Sequence, residues 1–99
     1  MKFKVTEEKN VSTVFLNGEI DMDIADDIRE IIFPLIDSGQ EVHLNLKDVQ
    51  YMDSSGISVL IESHQKALEK GTKVIIKDVS KSVLKVIMMA KLEQILNLE

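Results

Sequence analysis

The first residues alternate in character. Across Lys2–Glu7, Phe3 and Val5 fall on one side and Lys2, Lys4 and Thr6 on the other, the period of a β-strand. Glu8–Asn10 is a polar turn. Ser12–Asn17 repeats the pattern with Val14 and Leu16 on one face, so the two segments read as an antiparallel hairpin. Gly18–Asp23 (GEIDMD) reads as a loop, with Asp23 as the N-cap of the helix that follows. In that helix Ile24, Ile28, Ile31, Ile32 and Leu35 form an apolar stripe opposite Asp26, Asp27, Arg29 and Glu30. Pro34 predicts a kink or an early end before Gly39, because proline has no N–H to donate.

Val42, Leu44 and Leu46 alternate with His43 and Asn45, which predicts a strand over Glu41–Leu46 and a loop over Lys47–Asp53. Ile57, Leu60, Ile61, His64 and Leu68 recur at helical spacing up to Gly71. Thr72–Lys77 is a strand with Val74 and Ile76 on one face. Ser80 is placed to cap a third helix with the stripe Val83, Leu84, Ile87 and Met88. Ile95–Leu98 reads as a short last strand.

The element order is therefore β-β-α-β-α-β-α-β. Helices between strands imply parallel pairing and right-handed crossovers, which lie on one side of the sheet if the strand order runs one way. The strands support this arrangement. A parallel sheet covered on both faces reads as unbroken apolar runs, whereas here Lys2, Lys4, Thr13, His43, Asn45, Lys73 and Lys77 occupy the alternate positions. Phe15 and Ile75 are the exceptions, expected as a small apolar patch on the wet face. The fold class is α/β: one small domain over residues 1–99, a mixed, mostly parallel sheet of four to five strands with an N-terminal antiparallel hairpin, and helices packed on one face.

Composition narrows the function. The 99 residues contain no Cys, so disulfides, thiolate metal sites and Cys nucleophiles are excluded. The net charge of −5 disfavours direct contact with nucleic acid. No apolar run is long enough for a signal peptide or a membrane span, and the expected compartment is cytoplasmic. Most enzyme templates are missing as well. There is no Gly-rich phosphate loop, no GxSxG and no HExxH. A hydrolase built on Ser54 would need His64, which lies roughly 15 Å along the expected helix at 1.5 Å per residue.

The informative segment is Tyr51-Met52-Asp53-Ser54-Ser55-Gly56, between a strand end and a helix start. In parallel α/β sheets that edge is where ligands collect. Asp and Ser are also preferred helix N-caps, so capping alone could account for Asp53-Ser54-Ser55. Gly18-Glu19-Ile20-Asp21 follows the neighbouring strand. If that strand is parallel to Glu41–Leu46, both loops emerge at one edge, and Asp21 and Asp53 flank the serines, although Asp21 could instead cap its own helix.

At this point the sequence resembles the anti-sigma factor antagonist family, the bacterial STAS domain. The resemblance rests on GEID at Gly18–Asp21, LKDVQYMDSSGI at Leu46–Ile57 and the helix Ser80–Leu92 before the last strand. It implies that Ser54, directly after Asp53, is the phosphorylated serine, within an environment of Asp21, Asp53, Ser55 and Gly56. It also implies the partners: an anti-sigma factor that is an ATP-dependent serine kinase, bound by the unphosphorylated form so that the sigma factor is released, and a phosphoprotein phosphatase that resets the switch. It implies a non-enzyme with no cofactor and no metal, bound neither to nucleic acid nor to a membrane. The chain departs from the family at Ser58, where members often carry Gly, at Met88 in place of an acidic residue, and at Lys91 in place of Gly.

Other readings stay open on the sequence. A STAS subunit of another assembly, lipid-transport or stressosome-like, would use the same loop for docking. A small-molecule or nucleotide-binding domain would use the Ser55–Gly56 helix end as an anion site.

Overall fold

The computed structural model describes residues 3–99. Strands β1 (Lys4–Glu8), β2 (Val11–Ile20), β3 (Glu41–Met52), β4 (Val74–Lys77) and β5 (Asn97–Leu98) form one sheet in the order β1-β2-β3-β4-β5. Only β1 and β2 are antiparallel among the described residues; every later neighbour is parallel. Helices α1 (Met22–Asp37), α2 (Ser54–Glu69) and α3 (Lys81–Met89) are the three crossovers, followed by a 3-10 turn at Leu92–Gln94. Successive parallel strands are adjacent, so right-handed crossovers put all three helices on one face.

The core lies between that face and the helices. Val14, Leu16, Val42, Leu44, Leu46, Val74 and Ile76 from the sheet meet Ala25, Ile28, Ile32 and Ile36 of α1, Val59, Leu60 and Ala67 of α2, and Val83 and Ile87 of α3. On the other face Thr13, Phe15, His43 and Asn45 are half-buried. Phe15 and Ile75 do not form a joint patch. Phe15 pairs in register with Asn45, and Ile75 with His43, so β3 separates them. Phe15 instead lies under the Lys4 ammonium, 5.7 Å from its ring centroid. Ile75 is buried between the register positions of His43 and Asn97.

The main departure from the sequence pattern is strand length. β2 runs through Gly18 to Ile20, and β3 runs through Lys47 to Met52, where loops were predicted. The pairing slips between Phe15 and Asn17 and again between Gly18 and Glu19. Each irregularity breaks the two-residue alternation. Buried positions then fall at Leu16 and Ile20 on β2, and at Leu46, Val49 and Met52 on β3, spacings that no longer look like a strand.

Further corrections follow from packing. β1 begins at Lys4, and its expected inward residue Val5 is exposed, because the helices cover β2 to β4 and leave β1 bare; Lys2 lies outside the described residues. The hairpin turn is Lys9-Asn10, both at positive φ, the backbone of a two-residue primed turn. Pro34 sits within α1, which continues to Asp37 and is closed by Ser38 and Gly39. The buried stripe of α2 is Gly56, Val59, Leu60, Ser63 and Ala67; His64 is half-buried and Leu68 exposed. On α3 Met88 faces solvent. β4 starts at Val74, and only Asn97–Leu98 of the expected last strand pairs, with Ile95 exposed. Lys91 adopts φ 60°, the left-handed region that glycine enters without strain.

Candidate functional site at the carboxyl edge of the sheet

The lengthened strands decide where the site lies. Ile20 and Met52 are register partners at the ends of β2 and β3, and the Asp53 N–H donates to the Ile20 carbonyl at 3.1 Å. The next residues, Asp21 and Asp53, are therefore side by side at one edge. Both strand-to-helix junctions meet there, at the shared edge the sequence predicts for parallel neighbours.

Each aspartate caps a helix. Asp21 Oδ1 accepts from the Asp23 and Ile24 N–H groups at 3.0 and 3.3 Å. Asp53 Oδ1 accepts from the Ser55 and Gly56 N–H groups at 2.8 and 3.3 Å. The N-cap of α1 is thus Asp21, not Asp23, which sits in the first turn. Because β2 runs to Ile20, the extended residue before the helix is Asp21, the cap that the sequence also allows.

Ser54 is the first residue of α2 and is exposed, while Ser55 and Ser58 are half-buried. Neither the Ser54 nor the Ser55 hydroxyl is hydrogen-bonded among the described residues, so exposure is what separates them. Gly56 belongs to the site as packing. It is buried, and a Cβ added there would meet Met52 Cγ at 2.3 Å and Ile20 Cγ2 at 3.0 Å. Only glycine lets the first turn of α2 rest directly on the strand ends, against Ile20 and Met52, the residues before Asp21 and Asp53. The sequence pattern gave no sign of this Ile20–Met52 seat. It also gave no sign that Met22 and Tyr51, next to Asp21 and Met52 in the chain, are exposed apolar side chains.

One ion-pair group links the two helices at the surface. Arg29 of α1 binds Glu62 of α2 through Nε at 2.8 Å and Nη2 at 3.2 Å, and Asp26 through Nη1 at 2.9 Å. The bond to Glu62 raises the Arg29 pKa further, against a smaller opposing effect of burial. Lys66 adds a bridge to Asp37 at 3.2 Å.

The geometry limits the chemistry. The helix-end N–H groups that would hold an external anion already bind the Asp53 carboxylate, which weighs against a free phosphate or nucleotide seat. α2 is continuous from Ser54 to Glu69, so His64 stands roughly 15 Å along the helix from Ser54. His43 is in contact with Glu41 at the start of β3, the far end of that strand from Met52 and Asp53. What remains is an exposed residue, Ser54, on a capped helix start, at an edge that also carries two carboxylates held by backbone donors.

The comparisons with known proteins agree with this architecture. The STAS domain model matches residues 2–99. The Anti-sigma-B factor antagonist of Bacillus subtilis is 29% identical over 94 residues, 95% of this chain and 86% of that protein. A solved anti-sigma factor antagonist from Mycobacterium paratuberculosis superposes with a TM-score of 0.88 at 21% identity, covering 98% of this chain and 83% of that one. The Bacillus cell fate determinant SpoIIAA in its phosphorylated form gives 0.77 at 21% identity, covering 98% and 90%. These two structures share the fold. The family match spans both the Asp21 and Asp53 units and all five strands, and the chain belongs to the STAS domain family.

Proposed function

We propose that this protein is an anti-sigma factor antagonist, switched by phosphorylation of Ser54. The unphosphorylated form binds an anti-sigma factor that is also a serine kinase, and the sigma factor is released. The kinase transfers the γ-phosphoryl group of ATP to the Ser54 hydroxyl, the antagonist lets go, and a phosphatase restores it. The protein acts as a single-domain regulatory ligand in the cytoplasm and not as an enzyme. The observation that carries the reading is Ser54 itself, exposed at the start of α2 directly after Asp53, at the sheet edge where Asp21 also lies. The curated relative supports it by its name, Anti-sigma-B factor antagonist.

The switch is electrostatic and local. Phosphorylation adds about −1.5 to −2 at pH 7 and three strong acceptor oxygens. The helix end favours that charge by roughly 0.3–1 kcal/mol, but Asp53 already holds its N–H groups, and two carboxylates repel the newcomer. A partner surface fitted to a hydroxyl must then bury an unpaired dianion. A penalty of about 3–4 kcal/mol lowers affinity some hundreds-fold.

Binding of the host's anti-sigma kinase to four forms tests the reading. Wild type and Ser54→Ala should bind alike, the phosphoprotein hundreds-fold more weakly, and Ser54→Asp in between, since Asp carries about half the charge of a phosphate. Equal affinity of all four forms would exclude a charge switch at this residue.

A further inference from the structure

α3 has a second apolar side that the fold does not use. Val83 and Ile87 are buried in the core. Leu84 and Met88 form the neighbouring row at i and i+4, and Lys81, Lys85 and Met89 form the next. Together these five residues line an open groove of about 460 Å³. Met88 and Met89 are 54% and 75% exposed, and Ile95, just beyond the helix, is 54% exposed. No other part of the described surface exposes three large apolar side chains so close together in the chain.

The charges that α3 itself carries are of one sign. Residues 81–91 contain Lys81, Lys85 and Lys91 and no Asp or Glu, in a chain whose net charge is −5. A basic frame around an apolar groove on an otherwise acidic protein is complementary to an acidic, amphipathic partner. The chain's own acidic helix is a poor candidate. On α1, Asp26 is paired with Arg29 and Asp37 with Lys66, and the similar concavity there includes Arg29 itself. Methionine suits this use, because its unbranched, polarizable side chain adapts to different apolar surfaces.

We propose that the outer face of α3 docks an acidic amphipathic helix of a partner protein. The partner helix lays its apolar stripe over Leu84, Met88 and Met89, and its carboxylates meet Lys81 and Lys85, a helix-in-groove contact. The groove lies on α3 and not on α2, whose first turn carries Ser54, and the proposal does not depend on the phosphorylation reading.

Methyl-labelled methionine makes the test local. The full chain would be titrated with a synthetic peptide of Leu, Ala and Glu at amphipathic helical spacing, and with its counterpart carrying Lys in place of Glu. The Glu peptide should shift the Met88 and Met89 methyl signals and leave Met22, at the Ser54 edge, in place. Its binding should weaken as salt rises, because surface charges are screened. The double variant Lys81→Glu/Lys85→Glu, both at exposed positions, should lose about tenfold or more in affinity for it. Met89→Ser should weaken it with the fold intact. No shift at Met88 or Met89, or equal binding of the Lys peptide, would overturn the proposal. So would the same methyl shifts with phosphatidylserine vesicles in place of peptide, which would assign the face to a membrane. Methyl shifts that track protein concentration alone would assign it to a second copy.

Discussion

The starts of α1 and α2 are nearly the same piece of backbone. Asp21 and Asp53 are both extended, at φ −125°, ψ −172° and φ −92°, ψ −170°. Each follows the last residue of a parallel strand, and each accepts from the N–H groups two and three residues ahead. The side chains that come next differ. After Asp21 stand Met22, Asp23 and Ile24; after Asp53 stand Ser54, Ser55 and Gly56. Capping is common to both, so it explains the aspartates and leaves the serines and the glycine unexplained. The second unit alone combines a hydroxyl on the first helical residue with a helix start seated on the strand ends.

The largest expected effect is at the seat. Gly56→Ala forces a Cβ against Met52 Cγ and Ile20 Cγ2, atoms of two buried side chains, and should destabilise the protein by about 1–3 kcal/mol in chemical denaturation. A cost near zero would mean that the second unit is not held more tightly than the first. The caps come next. Asp53→Ala and Asp21→Ala should each cost about 0.5–2 kcal/mol, and by similar amounts. A far larger loss at Asp53 alone would show that it does more for the fold than end a helix.

Phosphorylation of Ser54 should change stability least. The attraction of the helix end and the repulsion of the carboxylates are each about 1 kcal/mol or less and opposite in sign. The midpoint of thermal unfolding should move by roughly 4–8 °C at most for a domain of this size. The circular dichroism spectrum should not change. Lost helix signal and a collapsed midpoint would replace local repulsion with an order–disorder switch.

The contrast between the two units also shows what the sequence could tell. The order of elements, the parallel pairing, the one-sided helix layer and the meeting of Asp21 with Asp53 were all legible, because period and residue type carry them. The ends of β2 and β3 were not. Irregular pairing moves buried residues from two apart to three or four apart, as from Leu46 to Val49 to Met52, and periodicity is the main signal a strand gives. The buried side of α2 was misread for a related reason. It packs closely through Gly56, Ser63 and Ala67, small residues that a search for large apolar side chains passes over in favour of Leu68, while His64 is half-buried beside them. The same blindness hid the role of Gly56. Ser54 was visible only through the family motif, since nothing in its spacing distinguishes it from Ser55; the structure adds that it is the more exposed of the two.

The most direct test of the account is intact mass followed by site mapping, after incubation with ATP and the host's anti-sigma kinase. The account predicts one phosphate per chain, on Ser54, abolished in Ser54→Ala and retained in Ser55→Ala. Phosphate mapped mainly to Ser55 or Ser58 would contradict it.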